Sequence, residues 1–260
     1  MKLLLVYLIL LSTIINAQQI EIRNDFKKYF DEYGHKGCFV FYDLNKDTYL
    51  KYNPARCAER FIPASTFKIF NSLVGLETGS VKDQFEVFKW DSVKRFYDKW
   101  NQDLNMATAI KYSAVWFYQE LARRIGEEKM QSQISLNNYG NENISGGIDR
   151  FWLDGGLRIS ADEQIEFLKK LYHNELKFSQ RTMDIVKDIM IYDKTNDYTI
   201  RAKTGWALRV EDQIGWFVGY VEKGSEVYFF AINIESKKPE EGFSSRKEIT
   251  FKILKALDII

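Results

Sequence analysis

Residues Tyr228 to Ile234, YFFAINI, are apolar on both faces of an extended chain, the pattern of a strand buried within a sheet. Two more strand-like runs precede it in YTIRAKTGWALRVEDQIGWFVGYVEKGSEVYFFAINI, separated by polar or glycine-containing turns. The remaining strand signal lies near the other end of the chain. There CFVFYDLNKDTYLKY carries two short aromatic and β-branched runs around Leu44, Asn45, Lys46 and Asp47, a hairpin pattern. Residues 20 to 33 form a polar amphipathic segment, and the long middle turns helical. Ser160 with Glu163 makes a capping box before IEFLKKLY, and Ser245 with Glu248 makes another ahead of Ile249, Ile253 and Leu257. The expected fold is therefore α+β: an antiparallel sheet built from both chain ends and flanked by helices, with a mainly helical lobe inserted in the middle.

The first residues, MKLLLVYLILLSTIINAQQ, join an early cation, Lys2, to an apolar run with a small-residue exit at Ala17. That is the pattern of a secretory signal peptide over residues 1–17, leaving residues 18–260 as one catalytic-sized domain outside the cytoplasm, periplasmic or secreted. No other stretch is long and apolar enough for a bilayer, so no membrane association is expected after cleavage. Lys+Arg 37 against Asp+Glu 36 gives a net charge of +1, with no excess field for nucleic acid. Small molecules are the expected partners, and a monomer and a homodimer both stay open. Two histidines, His35 and His173, make a His-based metal site improbable and weaken any Ser-His-Asp triad. Cys38 and Cys57 are able to bridge in an oxidising compartment, but their spacing does not decide it.

Chemistry concentrates first in PASTFKIFNSLVGLETG, residues 63 to 79. Phe67, Ile69, Phe70, Leu73, Val74 and Leu76 surround the axis of the helix that follows Pro63, so that helix is buried on all sides. Ser65 falls in its first turn, near unpaired N–H groups and the positive dipole end, and Lys68 follows one turn along. An exposed lysine is neutral in only about one molecule in 2,500 at pH 7, whereas burial favours the neutral, basic amine. Spacing alone decides little, because Ser244 and Lys247 repeat it on a charged segment.

Other elements follow in order: Ser113-Ala114-Val115 in YSAVWFY, Tyr139-Gly140-Asn141, FWLDGGLRIS with Trp152, Lys203-Thr204-Gly205 in RAKTGW, and IGWFVGY with Trp216 and Gly219. From about residue 36 to the last helix the chain resembles the class D (oxacillinase-type) serine β-lactamases. The resemblance implies a β-lactamase/transpeptidase-like fold, hydrolysis of β-lactam antibiotics through a Ser65 acyl-enzyme, and antibiotic resistance. It implies Lys68 as general base, carrying a CO2-derived carbamate, with no metal and no other cofactor. Val115 would keep that pocket apolar, together with Phe67, Trp116 and Phe151, and the indole of Trp152 would donate to the carbamate. Ser113 and Lys203 would move the proton toward the leaving nitrogen, and the backbone N–H groups of Ser65 and Trp206 would form the oxyanion hole. Thr204, Gly205 and Arg246 would bind substrate, with Arg246, expected at the start of the last helix, facing its carboxylate. Arg209, in the loop after Trp206, would border the substrate, with no role assigned to it. A second reading is a β-lactam-sensing domain that acylates without turnover. A cell-wall peptidase would carry asparagine where Val115 stands, and class A enzymes need a Ser-Asp-Asn and a glutamate base that have no convincing counterpart here.

Overall fold

The computed structural model describes residues 18–208, 213–236 and 239–260. The expected signal segment and Arg209 lie outside the described residues. One seven-stranded sheet runs in the order β1-β3-β2-β7-β6-β5-β4. Its strands are β1 (Gln19–Ile22), β2 (Lys36–Asp43), β3 (Thr48–Tyr52), β4 (Ile191–Lys194), β5 (Thr199–Ala207), β6 (Gln213–Lys223) and β7 (Glu226–Ser236). The helices are α1 (Lys27–Asp31), α2 (Pro54–Ala58), α3 (Lys68–Glu77), α4 (Met106–Tyr112), α5 (Val115–Ile125), α6 (Glu127–Leu136), α7 (Ala161–Tyr172), α8 (Gln180–Ile189) and α9 (Pro239–Ala256).

β2 and β3 are the hairpin read around Leu44 to Asp47, and β2 pairs antiparallel with β7, which closes the sheet across the whole chain. The two faces of β7 explain its apolar composition. Phe229 and Ala231 pack toward the helical lobe, while Phe230, Ile232 and Ile234 pack toward α9. The expected α+β sheet with an inserted helical lobe is the observed architecture, with helices α2 to α8 lying between β3 and β4.

Three details differ from expectation. β1, taken from a segment read as amphipathic, pairs parallel with β3, and β4 adds an opposite edge; both are four residues long and exposed throughout. The last helix begins at Pro239, so Ser245 is an interior residue and not a cap. Proline at the first helical position sets that start, since it has no N–H to leave unpaired. Ser245 Oγ instead lies 2.8 Å from His35 Nε2. The Ser160–Glu163 capping box is present at α7 as read. Cys38 and Cys57 are buried free thiols, and Cys57 Sγ donates to Tyr52 O.

Candidate active site

Ser65 does not open an α-helix directly. Residues Ala64–Phe67 form a 3-10 turn that runs into α3 at Lys68. Side chains at i and i+3 eclipse in such a turn. Consequently Lys68 Nζ lies 2.6 Å from Ser65 Oγ. The turn is strained at Ala64, whose φ is +49° where L-residues rarely sit, a cost of roughly 1–3 kcal/mol. A buried chain of hydrogen bonds opposes the strain: Gln164 Nε2 donates to Thr66 Oγ1, which donates to Pro63 O. The indole of Trp216 holds Ile62 O just before it, which makes Trp216 a core support for the turn.

α3 is buried from Lys68 to Leu76, as its apolar circumference requires. Lys68 is fully enclosed, and burial, followed by the charge of Lys203, holds its amine well below the ordinary lysine range. Ser113 sits in a left-handed conformation (φ 55°) at the end of α4, just before Ala114 leads into α5, a kink that turns its hydroxyl inward. Ser113 Oγ is 3.4 Å from Lys68 Nζ and 3.0 Å from Lys203 Nζ. Lys203 also donates to Thr204 O at 2.9 Å. Its pKa is pushed down to about 7, by burial first and then by the charge of Arg246. Ser65, Lys68, Ser113 and Lys203 thus form one continuous hydrogen-bonded chain.

β5 supplies the other wall. Ala202 N–H donates to Met190 O on the β4 side of the strand. N–H groups alternate along a strand, so that of Trp206 points to the same edge, and there the Ser65 turn packs. The approach is close, since a Cβ on Gly205 would stand 2.9 Å from Pro63 O and 3.1 Å from Thr66 Cγ2. The first N–H groups of a helical run have no partner within it, and Ser65 is among them. These are the two N–H groups that the expected oxyanion hole would use.

A cleft of about 310 Å³ opens from Ser65, walled by Val115, Trp116, Leu153, Trp206 and Leu208. Behind it, Trp152 is fully buried and stacked on Phe67 at 5.3 Å, the residue before Lys68, with Phe151 edge-on to both. The indole Nε1 of Trp152 has no acceptor among the described residues. Trp116 lines the cleft beside Val115 and shares one buried hydrophobic cluster with Phe67 and Phe151. Tyr139, Gly140 and Asn141 act at one remove. Asn141 exchanges hydrogen bonds with Arg158 and Gly156, closing the loop that carries Trp152. Gly140 has φ +59°, and a Cβ there would meet Arg158 O at 2.2 Å.

Arg246 lies within α9, buried and fixed by bonds from Nε to Trp216 O and from Nη1 to Phe243 O, with its guanidinium 5.1 Å from the Trp206 ring. Burial lowers its pKa to about 10. Tyr118, which the motifs do not single out, packs at the lysine pocket. Its ring is 5.6 Å from Lys68 Nζ and its hydroxyl pairs with Ser72 Oγ. The signal for it was its place in YSAVWFY, one helical turn beyond Val115. No group of three His, Cys, Asp or Glu side chains among the described residues is arranged to hold a metal ion.

Residues 24–255 match the penicillin binding protein transpeptidase domain. The chain is 47% identical to β-lactamase OXA-48 of Klebsiella pneumoniae over 94% of this chain and 92% of that one. It is 40% identical to a probable β-lactamase, YbxI, of Bacillus subtilis over 95% and 88%. Among solved structures, a class D β-lactamase from Sebaldella termitidis superposes with a TM-score of 0.89 at 41% identity, covering 94% of this chain and all of that one. The class D YbXI of Nostoc gives 0.88 at 48% identity, over 90% and 99%. With the hydrogen-bonded Ser65–Lys68–Ser113–Lys203 chain, its two lysines buried, on a transpeptidase scaffold, the protein belongs to the class D serine β-lactamases.

Proposed function

We propose that this chain hydrolyses β-lactam antibiotics with Ser65 as nucleophile, and so confers resistance to them. The observation that carries the assignment is the 2.6 Å contact between Ser65 Oγ and a fully buried lysine amine. A neutral Lys68 takes the hydroxyl proton as Oγ adds to the lactam carbonyl. The developing oxyanion sits between the N–H groups of Ser65 and Trp206. The carbon–nitrogen bond then breaks, and Ser113, 3.0 Å from Lys203 Nζ, delivers a proton to the leaving nitrogen. Water releases the acyl group in the second half-reaction.

A carbamate on Lys68 fits these residues. The enclosed amine favours the nucleophilic neutral form, and the buried, unpaired indole N–H of Trp152 is the donor that would hold it, in a pocket that Val115 and Phe67 keep apolar. When present, this group would supply the base for both half-reactions. Thr204 and Gly205 line the substrate's path along β5, and Arg246 contributes the positive charge for the substrate carboxylate. Export follows from the N-terminal pattern, with residues 1–17 removed; N-terminal sequencing of the mature protein should begin near Gln18.

The test is steady-state turnover of a chromogenic cephalosporin. Many turnovers per protein molecule are expected, with bicarbonate restoring activity lost at low pH. A single stoichiometric burst followed by silence would instead identify a β-lactam sensor.

A further inference from the structure

Two tryptophan indoles tie a surface loop to the Ser113 turn. Trp116 Nε1 donates to Trp100 O at 2.8 Å, and Trp100 Nε1 donates to Tyr112 O at 2.8 Å. Tyr112 and Trp116 flank Ser113-Ala114-Val115, so the two bonds bracket the left-handed turn that aims the Ser113 hydroxyl. The loop is closed on itself as well: Arg95 N donates to Asn101 Oδ1, and Asn101 Nδ2 returns a bond to Arg95 O. Across its base the Arg95 guanidinium lies 5.7 Å from the Trp116 ring and is paired with Asp91. The loop carries Phe96, 86% exposed yet packed at a tilt against Trp100 with ring centroids 5.4 Å apart, and both belong to the cleft that opens from Ser65. With the exposed Val93 and Tyr97, Phe96 makes an apolar patch beside the cleft, the kind of surface that marks a binding groove.

We infer that Trp116 is a positioning residue, whose indole N–H clasps the 95–101 loop against the Ser113 turn so that Phe96 and Trp100 form a preset wall for the apolar acyl side chain of a β-lactam. Trp116 need not touch the reacting atoms to do this. A held wall spares the substrate the cost of ordering the loop on binding. Without the clasp, the wall has to be assembled in each complex, and only substrates that use it suffer. The selectivity half of this inference rests on the hydrolase assignment; the mechanical half does not.

The experiment compares kcat/KM for a benzyl-bearing penicillin with that for 6-aminopenicillanic acid, which has no acyl side chain. In Trp116→Phe, which keeps a ring but loses the donor, the ratio should fall about tenfold, the scale of a misplaced apolar contact. Trp116→His, which keeps a ring N–H, should recover part of it. Phe96→Ala, on the surface, should lower the ratio with no change in Tm. Amide hydrogen exchange over residues 95–101 should accelerate in Trp116→Phe, a readout that needs no turnover. Equal losses on both substrates, or unchanged exchange in the loop, would overturn the clasp. If the wild-type protein hydrolyses neither compound, the hydrolase assignment fails, and the exchange result still decides whether the clasp exists.

Discussion

At the scale of single residues, the site depends on two lysines kept out of water. Lys203 has a pKa near 7 partly because Arg246 stands close to it. Removing that charge in Arg246→Ala should raise the Lys203 pKa and move the alkaline limb of the pH–rate profile upward, with a higher KM for carboxylate-bearing substrates. A profile unmoved by the substitution would contradict the coupling. Gly205 tests the oxyanion edge. An added methyl in Gly205→Ala would press on Pro63 O, a backbone atom that cannot swing aside. Displacing β5 from the Ser65 turn should cost kcat/KM about a hundredfold, measured at a temperature where the variant remains folded.

Much of this residue-level chemistry was legible in order along the chain. Ser65, Lys68, Ser113 and Lys203 were named from their motifs, and all four converge. What the motifs did not carry is the 3-10 turn. Nothing in PASTF announces the left-handed Ala64, because its support comes from Gln164, distant in sequence. Arg246 was expected at a helix start. It lies inside a longer helix, since the capping pattern at Ser245 is outweighed by Pro239.

At the scale of elements, the hairpin β2–β3 and the long strands β5, β6 and β7 were readable because their residues are buried on one or both faces. β1 and β4 were not, since four exposed residues have no alternation to detect. The loop carrying Trp152 behaves as an element too, closed by Asn141. Asn141→Ala removes side-chain bonds to Gly156 O and Arg158 N. A loss of about 1–3 kcal/mol in stability is expected, with deacylation slowed more than acylation because Trp152 shifts. Burst kinetics followed with a chromogenic substrate separate the two; equal slowing of both steps would detach the loop from Trp152.

For the whole molecule, the sheet joins residues from both chain ends around a site made mostly by the lobe between them. Such a site is bought with stability, because a buried lysine prefers water. The sign with pH follows from the depressed Lys203 pKa. Between about 7 and the ordinary lysine value the unfolded state binds the extra proton, so this group makes stability rise with pH across that window. Lys203→Met should therefore be inactive yet more stable by roughly 1–4 kcal/mol, with the Tm gain larger at pH 6 than at pH 9. A gain that grows with pH would reverse the assignment.

The central claim is that Ser65 is acylated and Lys68 is the base that frees it. Intact-mass and peptide mass spectrometry after exposure to a penicillin test this directly. Wild-type protein should return to its original mass once substrate is consumed, Lys68→Ala should retain one penicilloyl group on the peptide containing Ser65, and Ser65→Ala should never gain it. An adduct on another residue, or a Lys68→Ala variant that clears its acyl group as fast as wild type, would contradict the account.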